Sequence, residues 1–219
     1  MSTAIENFVK VVYQNEQNQG FDTRPGTIAK ALGISSAAAT DMSRKLADKN
    51  LIHYEKYQQI RLTEGGKKMA LHVIRKHRLW ESFLFRVFHL SLHEIHREAE
   101  LLEHQTSDFL AEKISSFLGN PEFDPHGEPI PDSKGSMWVP SEQSILSFVS
   151  AGLNYEITGL ISSDKEFYDF CNTNHLHIGS KLKVVNQYEK ISMTEIKLGN
   201  KKMLLNREFA NIIYVKHLD

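Results

Sequence analysis

Residues 96–104, HREAELLEH, place two histidines and three glutamates within nine positions. At about 100° per residue of α-helix, His96, Glu100, Glu103 and His104 fall on one stripe about a quarter of the circumference wide. Carboxylates crowded on one face repel each other unless a positive charge lies among them. The segment therefore predicts a site for a divalent cation.

A second segment, VIRKHRLWESFLF at residues 73–85, carries His77 and Glu81 four positions apart. This spacing lets two side chains of one helix reach the same ion. A single histidine on a helix is more often a surface or capping group than a ligand, but the repetition on two segments favours metal binding. The chain has one cysteine, Cys171, so an internal disulfide is excluded and the expected ligands are nitrogen and oxygen.

The elements before these segments have the pattern of a winged helix. TIAKALGIS at 27–35 predicts a short helix that stops at Gly33, and a second helix is expected from Ser36 to Asn50. Two helices joined by a short turn containing glycine are typical of a helix-turn-helix. The next residues, LIHYEKYQQIRLTEGG, predict two short strands with a turn near Tyr57–Gln59, which would form the wing.

The second helix has the composition expected of a DNA-recognition helix. Its first half is small or polar, so it could enter a major groove about 12 Å wide. Residues 1–78 contain 13 Lys and Arg against 7 Asp and Glu, whereas residues 79–219 contain 13 against 20, which favours a polyanion partner for the first part. The residues expected to face DNA are Ser35, Ser36, Ala37, Thr40 and Asp41 at bases or phosphates, Arg44 and Lys45 on the backbone side, and Lys56 and Arg61 on the wing.

The rest of the chain predicts a mainly α protein with a small β domain. Residues 91–118 are expected to be helical, and 119–140 contain five of the six prolines, which favours a connecting segment. Beyond it, YEITGLIS, KLKVVNQY, MTEIKLG, KKMLLN and IIYVKHL predict a small antiparallel barrel or sandwich, with a turn at Gly199-Asn200 and a short helix in DKEFYDFCNTNHL. The predicted domains are residues 1–72, 73–140 and 141–219.

Residues 79–92, LWESFLFRVFHLSL, contain more apolar side chains than one helix face buries in a small domain. This pattern predicts a homodimer interface, and a fully buried core helix is the alternative. No apolar run approaches the roughly 20 residues of a membrane span, and the first residues have no signal-peptide pattern. We therefore expect a cytoplasmic protein with no membrane partner.

Three segments, IRKHRLWE, HREAELLEH and NPEFDPHGEPIP, together resemble the signature segments of the diphtheria toxin repressor and manganese transport regulator family of metal-dependent transcriptional repressors. The resemblance covers essentially the whole chain. It implies a winged helix, a helical dimerisation and metal-binding domain, and an SH3-like domain related to the ferrous transport protein A fold. The implied function is repression of metal-uptake genes by a homodimer on double-stranded operator DNA.

The resemblance also implies two metal sites. The residues that match the family's primary site are Asn7, Glu100, Glu103 and His104, and those that match its ancillary site are His77, Glu81 and His96, with Asp164 of the SH3-like domain as a fourth candidate. Glu100 stands where the iron-type members have cysteine, and a carboxylate favours harder ions, so we expect Mn²⁺, with Fe²⁺ as the alternative.

Two positions on the first helix depart from the family pattern. Asn7 stands where Asp or Met is usual, and Lys10 stands where the manganese-type members carry a second acid. Asn7 can offer a carbonyl oxygen, but the adjacent Glu6 is an alternative ligand. A winged-helix regulator that no longer senses metal is therefore a second hypothesis.

Enzymatic function is the hypothesis from a different class, and the sequence gives it little support. The chain lacks the repeated Glu-x-x-His of di-iron bundles, the His-Glu-x-x-His of zinc proteases and a glycine-rich phosphate loop. We therefore expect neither catalysis nor a small organic substrate.

Overall fold

The structure is a computed structural model that describes residues 2–17, 22–56, 58–138, 143–162 and 164–218. Tyr57 of the expected wing turn, residues 139–140 of the expected connecting segment, and Ser163 lie outside the described residues. The chain divides into two compact units. The first comprises Met1–Trp80, Ala99–Asn120 and Ile130–Met137, and the second comprises Glu81–Glu98, Pro121–Pro129 and Trp138–Asp219.

The helices expected at 27–33, at 36–50 and in DKEFYDFCNTNHL lie close to where the sequence predicts them, and the helical segment expected at 91–118 is divided in two. The sequence did not predict the four-residue helix at 207–210. The described residues form eight α-helices. Their bounds are α1 Thr3–Gln17, α2 Pro25–Leu32, α3 Ser36–Asp48, α4 Glu64–Phe88, α5 Leu92–Leu102, α6 Asp108–Phe117, α7 Lys165–Thr173 and α8 Arg207–Ala210. Of the helices in this part of the chain, none combines the length and the apolar composition needed to cross a membrane.

The expected helix-turn-helix is confirmed in the first unit. Gly33 ends α2 with a positive φ of 65°, a conformation that glycine adopts without a Cβ clash. Two residues later the Ser35 hydroxyl accepts a hydrogen bond from the Ala38 amide and caps α3. These two local signals fix the short turn between the helices.

The wing follows α3 as a short antiparallel pair. Its strands are β1 Ile52–His53 and β2 Arg61–Leu62, in which Ile52 pairs with Leu62. The core beneath the helices and wing is made of apolar side chains from α1 to α4: Phe8, Val9, Val12, Tyr13, Ile28, Ala29, Ala39, Leu46, Ile52, Ile60, Ala70, Leu71 and Ile74.

The apolar segment 79–92 divides between core and surface. Leu79 and Leu84 are buried, whereas Phe85, Val87 and Phe88 are exposed. Part of this segment is therefore core, and the dimer interface expected for its exposed part stays a prediction. Further along, α5 ends at Leu102 and the 3-10 turn Glu103–Gln105 follows, so the stripe expected on one helix spans a change of helix type.

The second unit contains a six-stranded antiparallel sheet in the order β3-β8-β4-β5-β6-β7. The bounds of these strands are β3 Ser144–Ile145, β4 Asn154–Leu160, β5 Lys181–Tyr188, β6 Met193–Leu198, β7 Lys201–Asn206 and β8 Ile213–His217. The five predicted strands are confirmed, and the hairpin turn lies at Gly199-Asn200 as expected. The sequence did not predict the two-residue strand β3, because so short a strand has no measurable alternation.

Helix α7 packs its apolar side into the core of this sheet. Phe167, Tyr168 and Cys171 are all buried there. Burial raises the pKa of the Cys171 thiol to about 12, so this sulfur is held as a neutral, unreactive thiol.

Residues 121–129 form a loop that is fixed to strand β4. The Leu160 amide donates to the His126 carbonyl at 2.9 Å. Gly127 has a positive φ of 84°, and a Cβ at this position would lie 1.9 Å from the Thr158 carbonyl oxygen. Glycine is therefore required both for the backbone conformation and for the close approach to the strand.

We predict that Gly127→Ala destabilises the protein more than Gly152→Ala. Both glycines have a positive φ, but Gly152 has open space around its Cβ position. Gly152→Ala should therefore show only the left-handed backbone penalty of about 1–2 kcal/mol. Gly127→Ala should lose about 1–3 kcal/mol more, because the added methyl displaces the strand backbone. Urea unfolding followed by circular dichroism measures both, and equal losses would contradict the close approach.

Candidate metal centre

Polar side chains of the first unit meet around one buried lysine. We call this group the Lys10 cluster. Its members lie on α1, α4, α5 and the following 3-10 turn, and they are Glu6, Lys10, His77, Glu100, Glu103 and His104.

The Lys10 ammonium is bound by two carboxylates. It donates to Glu100 Oε1 at 2.6 Å and to Glu103 Oε1 and Oε2 at 2.9 and 2.8 Å. Lys10 is 5% exposed and Glu103 is 1% exposed, so this is a buried ion pair. Charges so far from water are tolerated only when paired and hydrogen-bonded.

Two histidines complete the surroundings of the Glu103 carboxylate. His77 Nδ1 lies 2.6 Å from Glu103 Oε2, and His104 Nε2 lies 3.1 Å from Glu103 Oε1. The other nitrogen of His104, Nδ1, lies 2.6 Å from Glu6 Oε2. Glu6 is thus the first-helix acid that His104 contacts, whereas the Asn7 side-chain oxygen is buried without a hydrogen-bond partner.

The donor set of the Lys10 cluster does not fit a divalent cation as it is arranged. An ammonium group has three donors and no lone pair to offer a metal, and here it bonds both carboxylates that a metal would need. At an effective dielectric of about 20, a dication about 4 Å from the ammonium would be repelled by roughly 8 kcal/mol. Lys10 would have to leave before an ion could bind Glu100 and Glu103.

A second group of potential ligands lies in the second unit, and we call it the His126 cluster. It consists of Glu81 on α4, His96 on α5 and His126 in the 121–129 loop. Glu81 Oε1 lies 3.1 Å from His96 Nδ1 and 3.2 Å from His126 Nε2. Each of the three residues offers one ligand atom, and these atoms all lie within 4.8 Å of one another.

The hydrogen bonds behind His126 set which ring nitrogen faces the cluster. The Tyr168 hydroxyl lies 2.8 Å from His126 Nδ1 and also contacts the carbonyl oxygens of Leu160 and Ser162, at 3.2 and 2.5 Å. A carbonyl can only accept, so the single hydroxyl proton is directed to a carbonyl and His126 Nδ1–H must donate to the hydroxyl oxygen. In the neutral ring, His126 Nε2 then carries the lone pair towards Glu81, as a metal ligand requires.

Charge around His126 favours a cation at this place. Burial lowers the pKa of His126, but the adjacent Glu81 carboxylate and the charges of Asp124 and Glu128 outweigh it, so the pKa is raised. Burial also raises the pKa of Tyr168, which keeps its hydroxyl neutral. The cluster therefore stabilises a positive charge beside Glu81, either a proton or a metal ion, and its nitrogen and oxygen donors fit a divalent metal.

The loop that carries His126 is held by Asp124. Its carboxylate oxygen Oδ1 accepts from the amides of His126 and Glu128 at 2.8 and 2.9 Å. These bonds fix the backbone turn at Gly127, and with it the direction of the imidazole. Asp124 acts here on the backbone of the loop.

The structure places the sequence-predicted metal residues in different surroundings. His77 contacts Glu103 in the first unit, whereas Glu81 and His96 contact each other in the second. Asp164 is exposed and caps α7, since its carboxylate accepts from the Glu166 amide at 2.9 Å. All of the sequence-predicted metal-site assignments stay predictions: Asn7, His77, Glu81, His96, Glu100, Glu103, His104 and Asp164.

The sequence analysis did not predict His126 as a metal ligand. The residue belongs to NPEFDPHGEPIP, a segment that resembles a family signature. A histidine between Asp-Pro and Gly in that segment was the available signal. Its approach to Glu81 depends on the loop and strand β4, which spacing along one helix cannot reveal.

The expected DNA-facing residues lie on the surface of α3 and the wing. Ser35, Ser36, Ala37, Asp41, Arg44, Lys45, Lys56 and Arg61 are exposed, and Thr40 is half-buried with its hydroxyl donating to the Ser36 carbonyl. A concave surface between α2, α3 and the wing is lined by Arg24, Arg44 and Lys56, among others. Cations on a concave surface suit a phosphate backbone.

Comparison with protein families gives two matches that together cover more than half of the chain. Residues 1–60 match the iron dependent repressor N-terminal DNA binding domain. Residues 63–132 match the iron dependent repressor metal binding and dimerisation domain.

Individual relatives and solved structures agree with these matches. The diphtheria toxin repressor of Corynebacterium efficiens is 24% identical over 98% of this chain and 95% of its own length. The iron-dependent repressor IdeR of Mycobacterium tuberculosis is 31% identical over 58% of this chain and 54% of its own. A manganese-dependent transcriptional repressor in complex with manganese superimposes with a TM-score of 0.91 at 28% identity, covering 98% of this chain and 100% of that one.

We predict that Tyr168→Phe weakens divalent-metal binding, measured with Mn²⁺ by isothermal titration. Without the hydroxyl, His126 Nδ1 loses the partner that orients the ring, and loss of such a partner typically costs 10- to 100-fold in affinity.

Tyr155→Phe is the matched control for this prediction. Tyr155 lies in the same core, and its hydroxyl donates to the Ser150 carbonyl at 3.1 Å, away from His126. Its Mn²⁺ affinity should equal that of the wild type. Equal affinities for the Tyr168 and Tyr155 variants would show that the hydroxyl does not orient a ligand.

Proposed function

The chain belongs to the iron-dependent repressor family of metal-dependent transcriptional repressors, and we propose that Mn²⁺ activates it to bind operators of metal-uptake genes as a homodimer. The two relatives and the solved structure described above are named repressors and not enzymes. The observation that carries the metal part of the proposal is the His126 cluster. There a buried carboxylate and two imidazoles converge, and one imidazole is oriented from behind by Tyr168.

Glu81, His96 and His126 would hold the ion. When bound, the ion would supply positive charge beside Glu81. It would also join α4, α5 and the 121–129 loop, which carry its three ligands. Carboxylate oxygen suits Mn²⁺ and imidazole nitrogen suits Fe²⁺, and the His126 cluster contains no thiolate. Cys171 is a buried thiol within α7. Fe²⁺ is the alternative ion, and iron-uptake genes would then be the regulated genes.

The residues of the His126 cluster connect metal binding to helix position. Glu81 lies on α4, the helix that follows wing strand β2 in the chain, and His96 lies on α5. If the three ligands converge better in the DNA-competent conformation than in others, metal shifts the population towards it by that difference in affinity. Coupling of this kind is reciprocal, so DNA binding tightens metal binding by the same factor.

We propose that α3 enters the major groove and the wing contacts the phosphates. Arg44, Lys45, Lys56 and Arg61 supply exposed cations. The small residues at the start of α3 allow close approach to the bases. In this proposal, residues 1–72 bind DNA and residues 73–140 form the dimer and bind metal. Residues 141–219 form the SH3-like domain. Such a regulator would act in the cytoplasm, where its operator DNA lies.

The homodimer is supported by exposed apolar side chains within the residues that match the dimerisation domain. Leu101, Phe109 and Phe117 are 68, 73 and 63% exposed. Large apolar groups in this number on adjacent helical segments are typical of an interface. Two recognition helices held by a dimer can address two half-sites on one face of DNA.

We predict that Phe109→Glu weakens the homodimer by about 30- to 1,000-fold, since truncating or charging a central aromatic residue commonly costs about 2–4 kcal/mol. Sedimentation velocity across a concentration series measures the change. Phe148→Glu is the control, because Phe148 is 68% exposed and lies outside the matched dimerisation domain. Dissociation by both variants or by neither would contradict an interface at Phe109.

We predict that Mn²⁺ raises DNA affinity by about 5- to 150-fold, the usual range of allosteric coupling. The probe is a labelled duplex selected from a random-sequence pool by the wild-type protein, and fluorescence anisotropy compares Mn²⁺ with chelator. In Glu81→Gln, Mn²⁺ should no longer raise the DNA affinity, because the substitution removes the buried charge that attracts the ion.

Glu98→Gln makes the same change on α5, where Glu98 pairs with the exposed Arg97, and it should respond like the wild type. Equal wild-type affinity with Mn²⁺ and with chelator would refute metal activation. It would favour the regulator that no longer senses metal.

A further inference from the structure

Lys10 is the only lysine among the buried residues of the described part of the chain, with 5% of its surface exposed. Lysine is almost never buried unless paired. Helix α1 buries Phe8 and Val12 in the core. At about 100° per residue, Lys10 lies on nearly the opposite side of this helix, where it is also buried. Lys10 therefore needs polar partners of its own. Its partners lie about 90 positions later in the chain, at Glu100 and Glu103.

All three donors of the Lys10 ammonium have acceptors within 2.6–2.9 Å. The acceptors are one oxygen of Glu100 and both oxygens of Glu103. Among the three acids of the Lys10 cluster, Glu103 has a fully buried side chain, whereas the side chains of Glu6 and Glu100 are 21% and 40% exposed. Glu103, the carboxylate in this cluster that water cannot solvate, is therefore the one whose two oxygens both accept from Lys10.

We propose that the Lys10 ammonium takes the place of an activating metal ion in the Lys10 cluster. Lys10 then ties α1 to Glu100 and Glu103 whether or not metal is present. The protein binds one activating ion per chain, at the His126 cluster. This inference rests on the proposed function for the identity of the second cluster, but the role of Lys10 follows from the contacts of Lys10 itself.

The Lys10 ammonium and a bound metal ion differ in whether their presence in the cluster depends on the metal concentration. The lysine is covalently part of α1, so its occupancy of the cluster does not depend on the metal concentration of the cell. A contact that is always made cannot shift a population in response to an ion. The metal response of this chain must therefore pass through the Glu81, His96 and His126 ligands.

The test counts bound Mn²⁺ by isothermal titration and by the loss of the free Mn²⁺ electron paramagnetic resonance signal. The wild type should bind one ion per chain and Glu81→Gln none. Lys10→Glu should bind two, because an acid replaces the ammonium beside Glu100 and Glu103. Lys30→Glu makes the same charge reversal on the exposed face of α2, and it should bind one ion.

Lys10→Gln keeps the test decisive if Lys10→Glu does not fold. The neutral amide leaves Glu103 buried without its cation, so in chelator the thermal midpoint should fall by about 10 °C. Mn²⁺ should restore much of this loss, and a second ion should bind. In the Glu81→Gln variant, which keeps Lys10, Mn²⁺ should leave the thermal midpoint unchanged.

The proposal is overturned if the wild type binds two ions per chain and Glu103→Gln loses one of them. It is also overturned if Lys10→Glu and Lys10→Gln bind no more Mn²⁺ than the wild type. A wild type that binds no Mn²⁺, together with a Lys10→Glu variant that binds one, would refute metal activation at the His126 cluster while supporting the role of Lys10.

Discussion

Among the residues that the structure describes, each unit of this protein buries one glutamate almost completely, and the arrangement of polar residues around it follows from that constraint. Glu103 in the first unit and Glu81 in the second are both 1% exposed. Removing a carboxylate from water costs several kcal/mol even after relaxation. A buried carboxylate must therefore be matched by a cation and by hydrogen bonds, or it must be protonated. The neighbours of Glu103 and those of Glu81 meet this requirement in two different ways.

Around Glu103 the matching charge belongs to the chain. The Lys10 ammonium contacts both carboxylate oxygens, and the His77 and His104 rings lie against the remaining edges. Around Glu81 the neighbours are imidazoles, and His126 presents Nε2 because its Nδ1 donates to Tyr168. Imidazole can take a proton or coordinate a metal through the same nitrogen. The positive charge beside Glu81 can therefore be a proton or a metal ion that binds and dissociates. The positive charge beside Glu103 cannot dissociate, because Lys10 is part of α1.

Much of the fold was predictable from sequence because its signals are local. Gly33 and Ser35 mark the end of α2 and the start of α3, and the five long strands alternate in the usual way. The domain division and metal-residue groups depend on contacts distant in sequence. His77 and Glu81 share helical spacing, yet His77 contacts Glu103 and Glu81 contacts His126. The sequence marked Lys10 as a departure from a pattern, but its partners about 90 residues away were visible only in the structure.

The two arrangements also differ in what a mutation can change. A lysine in place of a dication supplies one positive charge instead of two, and here that charge still pairs the buried Glu103 carboxylate with α1. The site then loses its dependence on the ion concentration. The change cannot be compensated by a stronger contact elsewhere in the same cluster, because a response requires a group that leaves. Sensing by such a chain demands a second cluster whose ligands can bind and release an ion. Glu81, held between His96 and His126, has the burial, the donor types and the oriented imidazole that this role requires.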